Sequence, residues 1–472
     1  MSSMYPRSFW LEQALRAEPE APIEPLRGRA HTDVCIVGGG YAGLWTAIQL
    51  KASEPSLDVT LIERDLCGSG ASGRNAGYLL SWWSKYLSLE KLCGSAEALR
   101  VAIASDQAVD AIPDFCAANG IDAHIRRDGW LWSASNVAQV GLWKETISAI
   151  ERHGYQQIVE WPKERAAMRC GSPVLLGGAF ESHAASVQPA LLARGLFRVA
   201  RAKGVKIFEK TPLTDLCHGN PAVVKTPHAE IRAERVVLTV NAWAAKWSEI
   251  RKSIIVVSGD MIVTPPIPQE LDAMGWKDSI VASDGRTLVE YYRTTADKRL
   301  AFGKGGMSGK FTYGGNLGAE VEGRSEFESQ LLKSMHQTFP LLSKVPVASS
   351  WRGPIDRTKS GLPFFHRLGK RGNVMYGVGF SGNGIGPCYI AGKILSAMAL
   401  DCRDEWSTCP LVRAPERDFP PEPLRWLGSG LVRRAFLAKD RADDENKPPP
   451  LLARIAAGFA PAGLTPFKKD IK

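Results

Sequence analysis

The run Asp33-Val-Cys-Ile-Val37-Gly38-Gly-Gly40-Tyr41-Ala42-Gly43-Leu-Trp-Thr-Ala-Ile-Gln-Leu50 changes character twice. Residues 33–37 read as a short strand buried on both faces. Glycines follow at once, and residues 44–50 carry helical spacing. A second apolar strand, Val59-Thr-Leu-Ile62, closes on Glu63, 20 residues after Gly43. Strand, Gly-x-Gly-x-x-Gly, helix, strand and acid make a dinucleotide-binding fingerprint. Gly38 permits the tight turn, Gly40 lets backbone approach a pyrophosphate, and Gly43 lets the helix pack against the sheet. Tyr41 and Ala42 open a helix whose free N–H groups and dipole favour phosphate. Glu63 suits a ribose diol and would repel a 2′-phosphate.

The next stretch separates FAD from NAD. Arg64 is followed by a polar, glycine-rich loop containing Ala71, Ser72, Gly73, Arg74, Asn75, Ala76 and Gly77. A plain NAD domain would resume its βαβ alternation here; this loop instead offers N–H donors and an arginine to a longer cofactor. Further strands of the same unit are expected at 204–208, leading to Pro212 and Leu213, and at 235–240, leading to Asn241, Ala242 and Trp243. A last strand, 374–378, runs into Gly379, Phe380, Ser381, Gly382, Asn383, Gly384 and Ile385, then a helix. That helix could aim its dipole at a reduced flavin ring.

The fold class expected is α/β: a Rossmann-like FAD-binding domain interleaved with an α+β substrate domain holding an antiparallel or mixed sheet. The FAD-binding portion is assigned to 30–85, 180–253 and 350–402, and the substrate portion to 86–179 and 254–349. Residues 1–29 form an N-terminal segment and 403–472 a basic C-terminal helical extension.

Composition agrees with a packed protein: 44% hydrophobic and 23% charged residues exclude wholesale disorder. Nine scattered cysteines and eight isolated histidines favour neither disulfides nor a metal site, and a reducing cytoplasm is expected. No apolar run is long enough to span a membrane and no secretory signal is visible. The net charge is +10, but residues 424–472 hold ten Lys/Arg against five Asp/Glu, so the body is only mildly basic. With no recognition motif beside the charge, nucleic acid is not an expected partner.

Residues 38–43, Glu63, the run 71–77, Val237-Leu-Thr-Val-Asn-Ala-Trp243 and Gly379-Phe-Ser-Gly-Asn-Gly384 together resemble the D-amino-acid oxidase superfamily of flavoproteins, which includes glycine and sarcosine oxidases. The likeness covers roughly residues 30–400. The run 72–77, with Tyr291-Tyr-Arg293 and 299–303, looks closest to the γ-glutamylputrescine oxidase branch. The resemblance implies FAD, hydride transfer from a carbon next to nitrogen to flavin N5, an imine that hydrolyses, and O₂ as acceptor. It requires no dedicated general base.

Two departures matter. In glycine and D-amino-acid oxidases an arginine meets the substrate carboxylate; here Ile355 takes its place, with Arg352 and Arg357 as substitutes nearby. Sarcosine oxidases tether flavin through a cysteine in this region; residues 351–387 contain none, so FAD is expected to be non-covalent.

Tyr291, Arg293 and Arg352 are the candidates for orienting substrate, Tyr291 and Arg293 because they share one face of a strand. For Trp82 and Trp83, core packing is favoured over walling the site; for His183, a structural role; for Lys304, a solvated loop over a cation beside flavin. The tail, with Leu424, Leu427 and Leu431 at helical spacing, either packs on the body or another subunit or lies on a membrane, and packing is favoured. A small amine is thus the expected substrate, and a homo-oligomer stays open. The alternative functions are an amine or amino-acid dehydrogenase feeding a quinone at a membrane, and a flavin-binding protein without turnover.

Overall fold

A computed structural model describes residues 6–17, 23–306, 317, 321–458 and 461. Among these, two eight-stranded sheets share the chain. The first is laid down by the expected βαβ unit. The strand Gly28–Val37 pairs in parallel with Val59–Ile62 on one side and Ala229–Leu238 on the other. Lys206–Phe208 and Val374–Val378 extend it, also in parallel. Its hydrophobic strands are covered by Tyr41–Ser53 and Ile385–Ala399, helices apolar nearly all round because they are buried between sheet and neighbours.

The second sheet runs Ser349–Arg357, Ile255–Val263, Leu300–Gly305, Glu290–Thr294, Val281–Asp284, Trp130–Ala134, Gly177–Glu181, Ile158–Trp161. It is antiparallel except where Val281–Asp284 meets Trp130–Ala134. Two expected boundaries shift. Residues 349–357, placed with the nucleotide unit from 350 onward, ladder along Ile255–Val263 instead. The nucleotide sheet resumes only at Phe364–Leu368. Likewise Gly177–Glu181 stays in the second sheet beyond residue 179. Sequence alternation reveals a strand but not its sheet when both sheets share one core. The chain also forms the helices Lys144–Glu151 and Glu328–Thr338.

The N-terminal segment is part of the core. Trp10, Leu11 and Ala14 of the helix Phe9–Ala17 are buried, and Trp10 meets Trp351 edge-on at 5.6 Å. Trp82 and Trp83 are buried too, as core residues. His183 bonds Asp106 at 2.8 Å and Asp110 at 3.0 Å. Burial alone would lower its pKa; the hydrogen bonds to the two carboxylates outweigh that and raise it, as a structural clamp requires.

The C-terminal helix Leu424–Asp444 packs on the body. Buried Asp440 accepts from the N–H groups of Thr287 (3.1 Å) and Leu288 (3.0 Å). Asp444 bonds Arg286 and Asn136, each at 2.7 Å. Yet Leu424, Leu427, Leu431, Leu451, Leu452 and Ile455 stay exposed. No helix among the described residues is long and apolar enough to cross a membrane. Asp440→Ala strands two buried donors, a cost of roughly 1–3 kcal/mol. The expected outcome is a thermal midpoint a few degrees lower, with proteolysis starting in residues 424–457. Unchanged melting and cleavage would show that the helix is held elsewhere.

Candidate functional site

The C-terminal ends of the parallel strands open into a cavity of about 560 Å³ that continues to the second sheet. Ligand sites of open α/β sheets lie at such strand ends. The glycine turn is fixed by lack of space. Gly38 has φ +111°, and a Cβ there would stand 2.5 Å from the Thr239 carbonyl oxygen. A Cβ on Gly43 would stand 2.0 Å from the Gly38 oxygen. The helix begins at Gly40 on the cavity wall, where Ser72 Oγ accepts from Tyr41 N at 2.9 Å. Glu63 holds the loop: its carboxylate accepts from Gly39 N (2.8 Å) and Asp65 N (3.0 Å). Burial raises its pKa, against the opposing charge of Arg64.

Most residues singled out in the sequence line this cavity. Gly38, Gly40, Tyr41, Ala42, Glu63 and Arg64 form one stretch of wall. Ala71, Ser72, Arg74, Asn75 and Ala76 form the next. Pro212, Leu213, Asn241 and Trp243 close the nucleotide end, where the Arg64 guanidinium lies 3.9 Å over the Trp243 ring. Phe380, Ser381, Gly382, Asn383, Gly384 and Ile385 line the side nearer the second sheet, beside Tyr291. The helix Ile385–Ala399 also starts without a side-chain cap.

Seven others sit off the wall, each for a packing reason. Gly43 supports the turn from behind. Gly73 has no room for a Cβ, which would meet the Gly68 oxygen at 2.2 Å. Gly77, at φ +76°, passes under Val187 and Arg293. Ala242 is fully buried in the core behind the sheet. Gly379 donates its N–H to Asp356 Oδ2 at 2.6 Å. Arg293 donates to the Val187 carbonyl at 2.7 Å and covers the Trp10 ring, so sharing a face with Tyr291 does not bring it to the cavity. Arg352 is 1% exposed and lies 3.8 Å from both Asp260 and Glu326. Residues 353–357 all line the cavity, and Arg352 lies just beyond the end of that stretch.

Arg74 reaches the wall, but its guanidinium is occupied by the carbonyls of Ser69, Arg352 and Pro6. Lys304 is neither solvated nor on the wall; it bonds Glu290 at 2.7 Å in a buried network with Asp284 and Arg286. The sequence reading missed Lys85 and Asp356. Lys85 ends a turn after two buried tryptophans, and burial together with Arg357 lowers its pKa to about 7. Asp356, held near 6 by burial, anchors the Gly379 loop.

These residues fit a flavin dinucleotide. Two helix N-termini begin on one cavity wall, the glycine cradle leaves no space for side chains, and Asn241 Oδ1 on the wall is buried with no partner among the described residues. The site is that of a nucleotide-dependent oxidoreductase of the doubly wound class. The chain belongs to the FAD-dependent oxidoreductase (DAO) family, whose model matches residues 33–398. It is 28% identical over 388 residues to the γ-glutamylputrescine oxidoreductase of Escherichia coli K12, covering 82% of this chain and 87% of that one. It is 25% identical over 369 residues to the glycine oxidase of Geobacillus kaustophilus, covering 75% and 89%. The crystal structure of glycine oxidase from the latter organism superposes with a TM-score of 0.65 at 20% identity, covering 81% of this chain and 98% of that one. FAD is therefore the cofactor.

Gly43→Val should leave a protein that binds no flavin, read as loss of visible absorbance; retained yellow colour would overturn the account of the turn. Cys388 lines the cavity next to the residues without cysteine, but burial raises its pKa well above the ordinary thiol value and keeps it a poor nucleophile. Acid or heat should accordingly release all flavin into solution; flavin left on the precipitate would show a covalent link.

Proposed function

We propose that this enzyme oxidises the C–N bond of a primary or secondary amine other than a simple α-amino acid, with O₂ as acceptor. Bound FAD supplies the hydride acceptor, at N5, for a substrate C–H next to nitrogen, giving an imine that water hydrolyses. The protein's part is to orient the amine and exclude bulk water. Ile355 carries this reading. It lies on the cavity wall with Tyr291 close by: a methyl at Gly259 would touch Tyr291 Oη at 3.1 Å and Ile355 Cδ1 at 3.3 Å. An apolar branch there cannot pair with a carboxylate on the reacting carbon. Similarity to a γ-glutamylputrescine oxidoreductase supports the same substrate class. Partly buried Tyr291, its pKa raised by burial, remains a neutral phenol, with its Oη 3.5 Å from the Asp260 carbonyl oxygen.

The exposed leucines of the tail favour a second reading, a dehydrogenase that hands electrons to a quinone at a membrane surface. Both readings are tested by anaerobic titration of the holoenzyme with polyamines, acylated polyamines, N-methyl amines, cyclic imino acids and α-amino acids, followed by admission of air. Bleaching of the flavin band near ~450 nm by amines but not by glycine or alanine is expected, with rapid recovery in air. Recovery only on adding a quinone would favour the dehydrogenase. Bleaching by α-amino acids alone would overturn the proposal, and no bleaching by any amine would favour a flavin protein without turnover.

A further inference from the structure

The tail presents a surface that the oxidation chemistry does not use, and we propose that it docks the enzyme on an anionic lipid membrane through the outer side of the helix Leu424–Asp444. Such docking depends neither on the amine reading nor on which acceptor reoxidises the flavin. The two sides of this helix differ. On one, buried Arg425 bonds Glu422 at 2.7 Å and the Arg251 carbonyl at 2.6 Å, and buried Asp440 takes the N–H groups of Thr287 and Leu288. Those contacts seat the helix on the body. Leu424, Leu427 and Leu431 follow one another at intervals of three and four, so they form a stripe on the opposite side, and Arg434 and Arg441 continue it. All five are exposed, Leu431 to 66%.

Charge identifies the occupant. From Leu424 to Lys439 the helix carries Arg425, Arg433, Arg434 and Lys439 and no acid. Its acids gather in the last turns and are engaged there: Asp440 as above, Asp443 with Lys439 at 2.5 Å, and Asp444 with Arg286 and Asn136 at 2.7 Å. Glu445, just past the helix, bonds Lys447 at 2.8 Å. The leucine stripe therefore runs into positive charge. A second copy laid against it by two-fold symmetry would offer the same arginines and no acid to meet them. Phosphate-bearing headgroups of an anionic leaflet do meet them. Trp426, 47% exposed beside the leucines, is the aromatic type that settles at headgroup level.

The next helix repeats the pattern. Leu451–Ala457 packs against the first helix and buries Ala453, while Leu451, Leu452 and Ile455 stay exposed beside exposed Arg454, again with no acid. Single exposed leucines are ordinary; two connected helices that both expose them with arginine mark an interaction surface. No helix among the described residues is long and apolar enough to cross a bilayer, so the fitting mode is interfacial: leucines enter the acyl boundary and arginines stay with the headgroups.

Flotation of the full-length holoenzyme with lipid vesicles tests this without turnover. Vesicles of phosphatidylcholine with about one-third phosphatidylglycerol should carry the enzyme upward, and pure phosphatidylcholine vesicles about ten-fold less of it. High salt should weaken the binding. Leu427→Ser with Leu431→Ser, and separately Arg434→Gln with Arg441→Gln, should each reduce binding about ten-fold. All four side chains are exposed, so the flavin spectrum and the thermal midpoint should stay those of the unsubstituted enzyme. No binding to the anionic vesicles, or binding that survives both pairs of substitutions, overturns the proposal. Light scattering separates the rival occupant: a dimer that the leucine pair of substitutions converts to monomer assigns the surface to a second copy and equally overturns the proposal.

Discussion

One contact controls the layout: the helix after the first strand begins where its backbone touches the strand end. A Cβ at residue 43 would lie 2.0 Å from the Gly38 oxygen, and one at residue 38 would lie 2.5 Å from the Thr239 oxygen. Two parallel strands and a helix therefore meet within van der Waals distance, and the free N–H end of the helix has nowhere to face but the cavity. Thr239 fastens the arrangement by donating from Oγ1 toward the Val37 and Gly38 carbonyls, both at 3.1 Å. The later elements must be delivered around that point. Ser72 comes in at Tyr41 N, Asn241 follows the neighbouring strand, and the 379–385 loop follows the next.

The second sheet is held to this frame by buried polar groups as well as apolar surface. Trp351 Nε1 donates to the Arg74 carbonyl at 2.9 Å, while Arg74 donates to the Arg352 carbonyl at 3.2 Å. The N-terminal segment completes the joint: Ser8 Oγ bonds the Gly73 carbonyl at 2.5 Å, and Pro6 supplies another acceptor for Arg74. A buried guanidinium with several carbonyl acceptors satisfies its donors without a carboxylate. Arg74 thus lines the cavity while acting as a joint between strand, loop and terminus.

The nucleotide unit was legible because its signals are local: glycine spacing, short apolar strands and an acid at a fixed interval. The off-wall residues were not, because a strand's period gives which side chains share a face and not how far along that face the cavity extends. Tyr291 and Arg293 share a face; the cavity reaches the first, and Trp10 with Val187 covers the second. Arg352 is a similar case: Pro354 and Asp356 share its parity and line the cavity, while Arg352 lies near Asp260 and Glu326. Lys85 carried no local signal at all, since Trp-Trp-Ser-Lys resembles any turn entering a helix. Its place on the same cavity wall as Arg357 depends on the fold bringing together positions 272 apart in sequence.

The buried arginines and lysine near the site divide accordingly by what faces them. Arg293 and Arg74 donate to backbone carbonyls, and Arg352 lies near two carboxylates, so each is engaged within the fold. Lys85 and Arg357 line the cavity, and burial together with the Arg357 charge lowers the Lys85 pKa to about 7. Along the strand Ser349–Arg357 the wall is apolar at Ile355 and cationic at Arg357, two residues further along.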